Sequence, residues 1–175
     1  MAEQGEWEAR VLVKDKKQAK TFIVNVDFIA VKPSKMRMDI TTPVGVHVAS
    51  ITMDGNSMTY VVPQKKAFYQ GQPTSQAFAR TLNFALDPKL IMNVLFDQPV
   101  QQKGWVCKKE GEIVSECAQG NFKINWTNRK SKEKTVVISH SQYQIELKFH
   151  NFKVPSTVKD EIFTIKQPEG FSRVN

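Results

Sequence analysis

The sequence predicts a mainly β fold: an incomplete antiparallel β-barrel of about eleven strands, with a short two-helix lid inserted mid-chain. Three observations carry this. Apolar residues recur at every second position through most of the chain, the period of a sheet with one wet and one apolar face. Short turn signals, such as Asp54-Gly55-Asn56, separate the runs. The period becomes helical only between Thr74 and Phe96.

The elements follow in order. Glu6 to Lys14 reads as a strand with Trp7, Ala9, Val11 and Val13 on one face. Lys20 to Val31 places Phe22, Val24, Val26 and Phe28 inward, with Asn25 and Asp27 outward. Lys32-Pro33-Ser34 turns the chain into Lys35 to Thr41, where Met36, Met38 and Ile40 alternate with Lys35, Arg37 and Asp39. Thr41-Thr42-Pro43-Val44-Gly45 breaks the pattern and leaves an apolar Val44 where a turn ordinarily carries a polar residue. Strands over Val46 to Met53, Ser57 to Val62 and Ala67 to Tyr69 come next.

Thr74 or Ser75 can cap a first helix, whose stripe is Phe78, Leu82, Ala85 and Leu86. Asp87-Pro88 starts a second, with Leu90, Ile91, Val94 and Leu95 on one face. The strands then resume at Trp105 to Lys108, Ile113 to Cys117, Asn121 to Thr127, Lys134 to Ser139 and Tyr143 to Phe149. A last strand is expected near Phe163 to Lys166. Nothing resembles a linker or repeat, so residues 1–175 read as one domain.

The composition bounds function. Hydrophobic residues make up 41% and charged residues 24%, which suits a soluble globular chain. No apolar run approaches the roughly 20 residues of a membrane-spanning helix. The first residues lack a basic segment followed by an apolar one, so no signal peptide or lipobox is expected. The net charge of +8 invites an anionic partner. The lysines are scattered along strands and turns, in clusters at expected hairpin tips (Lys14, Lys16, Lys17 and Lys20; Lys65 and Lys66; Lys108 and Lys109; Lys130, Lys132 and Lys134), which argues against nucleic acid. Solvated turns are one explanation; an anionic membrane surface, worth about 1 kcal/mol per nearby cation, is the other.

Folding about Gly111 and Glu112 brings Cys107 and Cys117 opposite each other, so either a disulfide or two half-buried thiols results. A disulfide favours an oxidising compartment. Neither a zinc-ligand spacing nor a catalytic motif is present, and no metal, cofactor or catalytic residue is expected. His47, His140 and His150 fall in separate strands and are expected to face solvent.

What remains is apolar. From the strands, Phe22, Val24, Phe28, Met36, Met38 and Met58 are candidate cavity residues, with Tyr60, Phe122, Trp126 and Leu147. Phe78, Leu82, Leu90 and Val94 would close the cavity from the helices. Methionine and aromatic side chains suit irregular apolar guests. The same residues could equally fill an ordinary close-packed core.

The string Arg37-Met38-Asp39-Ile40-Thr41-Thr42-Pro43-Val44-Gly45 resembles the strand–PLG–strand segment of receptors in the LolA/LolB family of bacterial lipoprotein carriers and receptors. The element order is similar too: long first strands, a helical lid, then more strands. The ending Ile162 to Phe171, with Pro168-Glu169-Gly170, resembles the carrier's strand followed by P-x-G. The resemblance implies a hydrophobic cavity for lipoprotein acyl chains, emptied and filled without bond chemistry. It implies a membrane-insertion role for Val44, a carrier or receptor protein as partner, a monomer, and a site of action in the periplasm or at the periplasmic face of the outer membrane. The carrier's lid-fastening cavity arginine has no match, because Arg37 alternates outward. A sensor or scaffold of the same shape, binding protein rather than lipid, is the alternative; a lipid or ester hydrolase would need a nucleophile–base pair that the sequence does not display.

Overall fold

The computed structural model describes residues 2–82 and 85–174, without the side chains of residues 81 and 82. Among the described residues, twelve strands form one sheet that does not close, and two short helices sit mid-chain. The first six strands are β1 (Gln4–Asp15), β2 (Lys20–Val31), β3 (Lys35–Thr41), β4 (His47–Asp54), β5 (Ser57–Val62) and β6 (Ala67–Gly71). Helices α1 (Ser75–Leu82) and α2 (Lys89–Phe96) follow. The rest are β7 (Val106–Glu110), β8 (Ile113–Gln119), β9 (Phe122–Lys130), β10 (Glu133–Ser139), β11 (Tyr143–Lys153) and β12 (Ser172–Val174). The order across the sheet is β12-β6-β5-β4-β3-β2-β1-β11-β10-β9-β8-β7. Pairing is antiparallel except between β12 and β6. The incomplete barrel is therefore observed: the eleven expected strand segments from Glu6 to Phe149 are formed, and β12 is a strand the sequence does not suggest.

Alternation sets the faces. On β1, Trp7, Ala9, Val11 and Val13 are buried, and their partners on β2 and β11 share that face: Val11 sits opposite both Val24 and Leu147. A one-residue slip would turn every one of these side chains outward, so burial fixes the register.

The helices cover the apolar face. Thr74 Oγ1 accepts the Ala77 N–H at 3.1 Å, so Thr74 caps α1. Asp87 Oδ1 accepts the Lys89 N–H at 2.9 Å at the start of α2. Six side chains of α2 that are buried (Leu90, Ile91, Met92, Val94, Leu95 and Phe96) anchor it. Helix α1 is shorter than its apolar period: Ala85 and Leu86 lie beyond it, although Leu86 is buried. Among the described residues no helix is long and apolar enough to cross a membrane.

The expected strand near Phe163 to Lys166 is not formed. A 3-10 turn at Asp160–Phe163 packs on β3 and β4 instead. Arg37 donates to the Ile162 carbonyl at 3.1 Å, and Lys35 pairs with Asp160 at 2.8 Å. These contacts hold the segment against β3, away from a sheet edge where a strand could pair. Its Phe163-Thr164-Ile165-Lys166 alternation thus reflects packing of Phe163, which is buried outside the main core with Val61 and Phe68. The β6 edge is taken by β12, where Ser172 N–H donates to the Lys66 carbonyl at 2.8 Å.

Candidate functional site

An apolar cavity of about 320 Å³ lies between the inner face of the sheet and the helices. That is the lower end of the roughly 300–1,000 Å³ of small-molecule sites. Six of the expected residues line it: Phe22, Val24, Phe28, Met38, Phe78 and Leu147. Met36, Met58, Tyr60, Leu90, Val94 and Trp126 are buried in close-packed core and do not line it. Phe122 is half-buried beside Trp105, His140 and Tyr143. The Leu82 side chain lies outside the described residues.

Sequence reasoning omitted much of the wall. Val11, Val13, Ile40, Ile91, Ile138 and Ile145 also face the cavity. All carry the inward phase of their strand or helix, so the signal was present. β-branched residues supply most of this lining, whereas the sequence signal for an adaptable pocket lies in aromatic and methionine residues.

The cavity has a mouth. Antiparallel connectivity puts the β1–β2 turn, the 42–46 loop and the β5–β6 turn side by side at one end of the sheet. Thr42, Val48 and Phe22 line the cavity at that end. Phe22 is 39% exposed, so it forms a rim rather than interior wall. Beside it the loop carries Val44 at 87% exposure and Val46 at 46%. Thr42 Oγ1 accepts the Val46 N–H at 3.0 Å, and Gly45 takes φ +88°, which together hold Val44 at the loop tip. Lys16, Lys17 and Lys20 lie on one flank of this loop; Lys65 and Lys66 lie on the other.

The cover is fastened from beneath by a lysine. Lys134 was expected on a solvated hairpin tip, but it is 8% exposed and points inward from β10. Its Nζ donates to the Val94 carbonyl at 2.8 Å, the Leu95 carbonyl at 2.7 Å and Asp97 Oδ1 at 2.9 Å. Those carbonyls belong to the last turn of α2, which has no internal partners for them and carries the negative end of the helix dipole. Burial pushes the Lys134 ammonium below its ordinary pKa, against the pull of Asp97. A second fastening holds the connection between the helices: the Tyr143 hydroxyl donates to the Ala85 carbonyl at 2.6 Å. Burial pushes this phenol upward, so it remains protonated. A period-two pattern assigns Lys134 to the inner face, although a charged residue ordinarily takes the solvated one.

On the outer face Arg37 pairs with Asp39 at 2.8 Å, as its alternation predicts. Ser50 Oγ donates to Asp39 Oδ1 at 2.6 Å and lies 2.8 Å from His47 Nε2. Serine, histidine and aspartate thus meet, a contact invisible in the sequence because β3 and β4 bring it together. The order differs from a hydrolytic triad. The hydroxyl stands between the other two and gives its proton to the carboxylate, so His47 is not placed to accept it. His150 lies 3.4 Å from Glu8, and His140 stacks on Tyr143 rather than sitting in a strand.

Cys107 and Cys117 face each other across β7 and β8 and form a disulfide. The Val100 N–H points at Cys117 Sγ at 3.5 Å, which ties the segment after α2 to this hairpin. Among the described residues no group of three or more His, Cys, Asp or Glu is placed to hold a metal ion. No protein-family model matches the chain, and no curated protein matches it in sequence.

Proposed function

We propose that this protein binds and transfers acyl chains of lipoproteins or lipids, in the manner of the LolA/LolB carriers and receptors, without bond chemistry. The observation that carries the reading is the junction of cavity and loop. The apolar hollow opens beside an exposed Val44, on an end of the barrel where lysine-bearing turns flank that loop on both sides. Cationic turns attract an anionic bilayer, and Val44 supplies a small apolar contact with its interior.

Each methylene moved from water to an apolar site gains about 0.8 kcal/mol. A cavity of about 320 Å³ holds part of one chain while the cover is closed. A cargo with several chains requires α2 to swing outward, which means breaking the Lys134 contacts at the end of that helix. The disulfide suits an oxidising compartment such as the periplasm, with action there or at the periplasmic face of the outer membrane. A donor or acceptor protein for the cargo, and a monomeric working form, belong to the same reading.

The experiment is transfer of a fluorescent acylated peptide from the protein to vesicles containing anionic lipid. Transfer that depends on Val44 and on Leu147 supports the reading. Absence of any bound acyl chain favours the scaffold alternative, in which the sheet binds protein and the hollow is a packing defect.

A further inference from the structure

A second cavity, also of about 320 Å³, opens at the other end of the barrel and shares no lining residue with the first. Its chemistry differs. The β9–β10 hairpin contributes four cations to its wall: Arg129, Lys130, Lys132 and Lys134. Only two carboxylates, Asp97 and Glu133, face them. The rest of the wall is largely aromatic, with Trp7 packed 5.2 Å from Phe152 and 5.1 Å from Phe96 between ring centres.

The cations are unequally occupied. Lys134 spends its donors on α2 and Asp97. Arg129 gives one terminal nitrogen to the Val114 carbonyl and stands 4.0 Å from Asp97, while its Nε is buried without a hydrogen-bond partner. A buried donor left unmade is costly, and a guanidinium offers a planar fork that fits a carboxylate or phosphate. Arg129 lines the cavity and lies over the Trp126 ring, so an anion there lies beside that guanidinium. The aromatic wall offers nothing to a bare ion but suits an apolar body attached to one.

We propose that this cavity binds an organic anion: a carboxylate or phosphate head held by Arg129 and the hairpin lysines, with an attached apolar body lying on Trp7 and Phe152. The site stands on its own residues and does not depend on the acyl-chain reading of the first cavity.

The test is nuclear magnetic resonance of the full chain, observing the Arg129 Nε–H and the Trp7 indole N–H during titration with octanoate, octanol or inorganic phosphate. Octanoate shifts both signals, octanol leaves Arg129 unmoved, and inorganic phosphate needs about tenfold more ligand to move it. Arg129→Gln weakens the octanoate titration about fivefold or more. The exposed pair Lys130→Gln and Lys132→Gln, away from the core, weakens it in the same direction and serves if Arg129→Gln fails to fold. Octanoate that leaves Arg129 and Trp7 unmoved, or that titrates equally in the folded variants, overturns the site. Phosphate binding as tightly as octanoate also overturns it, since a bare-anion site would not use the aromatic wall.

Discussion

Lys134 and Leu95 lie in different layers, one on strand β10 and the other in helix α2, yet the lysine ammonium donates to the leucine carbonyl at 2.7 Å. This bond joins sheet to cover where α2 has run out of internal partners. Any movement of the helix away from the apolar cavity must break it, along with its companions at Val94 and Asp97.

Lys134→Met removes the fastening while keeping much of the side-chain volume. The helix loses charge-assisted hydrogen bonds worth about 1–3 kcal/mol in total. Hydrogen exchange at the α2 amides speeds by about tenfold or more, since about 1.4 kcal/mol is a factor of ten when opening limits exchange. Exchange in β1 and β2 changes less. Uniform acceleration across the sheet would show that the lysine supports the whole fold rather than the cover.

The same residue gives a pH signature. Burial lowers the Lys134 pKa in the folded protein, while the unfolded chain keeps its ordinary value near 10.5. Between the folded value and that ordinary value the unfolded state binds more protons, so this group makes stability rise with pH. Below the folded value both states are protonated and the contribution is flat. Urea titrations of wild type and Lys134→Met across alkaline pH measure the difference, and parallel curves contradict the assignment.

Asp39 gives the opposite end of the scale. Burial raises its carboxyl, but the bonds from Arg37 and Ser50, with His47 nearby, outweigh this and hold it below the ordinary 3.8. The unfolded carboxyl takes its proton at the higher pH. The stabilisation is therefore complete above 3.8 and disappears as pH falls through the lower folded value. Asp39→Asn flattens acid unfolding in that window. An unchanged acid limb means the Arg37–Asp39–Ser50 chain adds nothing.

Val44→Glu leaves stability within about 0.5 kcal/mol, as for other exposed positions. It slows transfer to anionic vesicles, because it replaces the apolar tip with a charge the bilayer repels. Raising salt slows wild-type transfer as well, by screening the flanking lysines. Transfer indifferent to both changes would remove this end of the barrel from membrane contact.

Replacing Cys107 and Cys117 by serine opens a link spanning 10 positions of sequence. A loop of that size is worth about 2–3 kcal/mol in the chain-entropy account. The melting temperature falls by several degrees, on the order of 2–4 °C per kcal/mol for a chain of this size. A thiol titration that finds two free thiols in native protein would contradict the bond.

Much of the fold was legible because burial enforces alternation. Trp7 to Val13 and Met36 to Ile40 read directly, as did the Asp87-Pro88 start of α2. What escaped was set by partners distant in sequence. Phe163 alternates like a strand residue, but Arg37 and Lys35 hold its segment on the sheet's outer face. Strand β12 is three residues long and owes its existence to the free edge of β6. At the site, Phe22, Met38 and Leu147 were legible as inward. Nothing local separates a lining residue such as Met38 from a packed one such as Met36, which sits opposite Met53 on β4. Where side chains stop short of filling the interior is a property of the whole assembly.

The most direct test of the central claim is native mass spectrometry of the protein mixed with a single-chain acylated peptide. A one-to-one complex is expected, and Leu147→Trp, which fills the apolar cavity from β11, should abolish it while the protein remains folded by circular dichroism. Absence of a complex, or a complex retained undiminished by folded Leu147→Trp, would contradict the account.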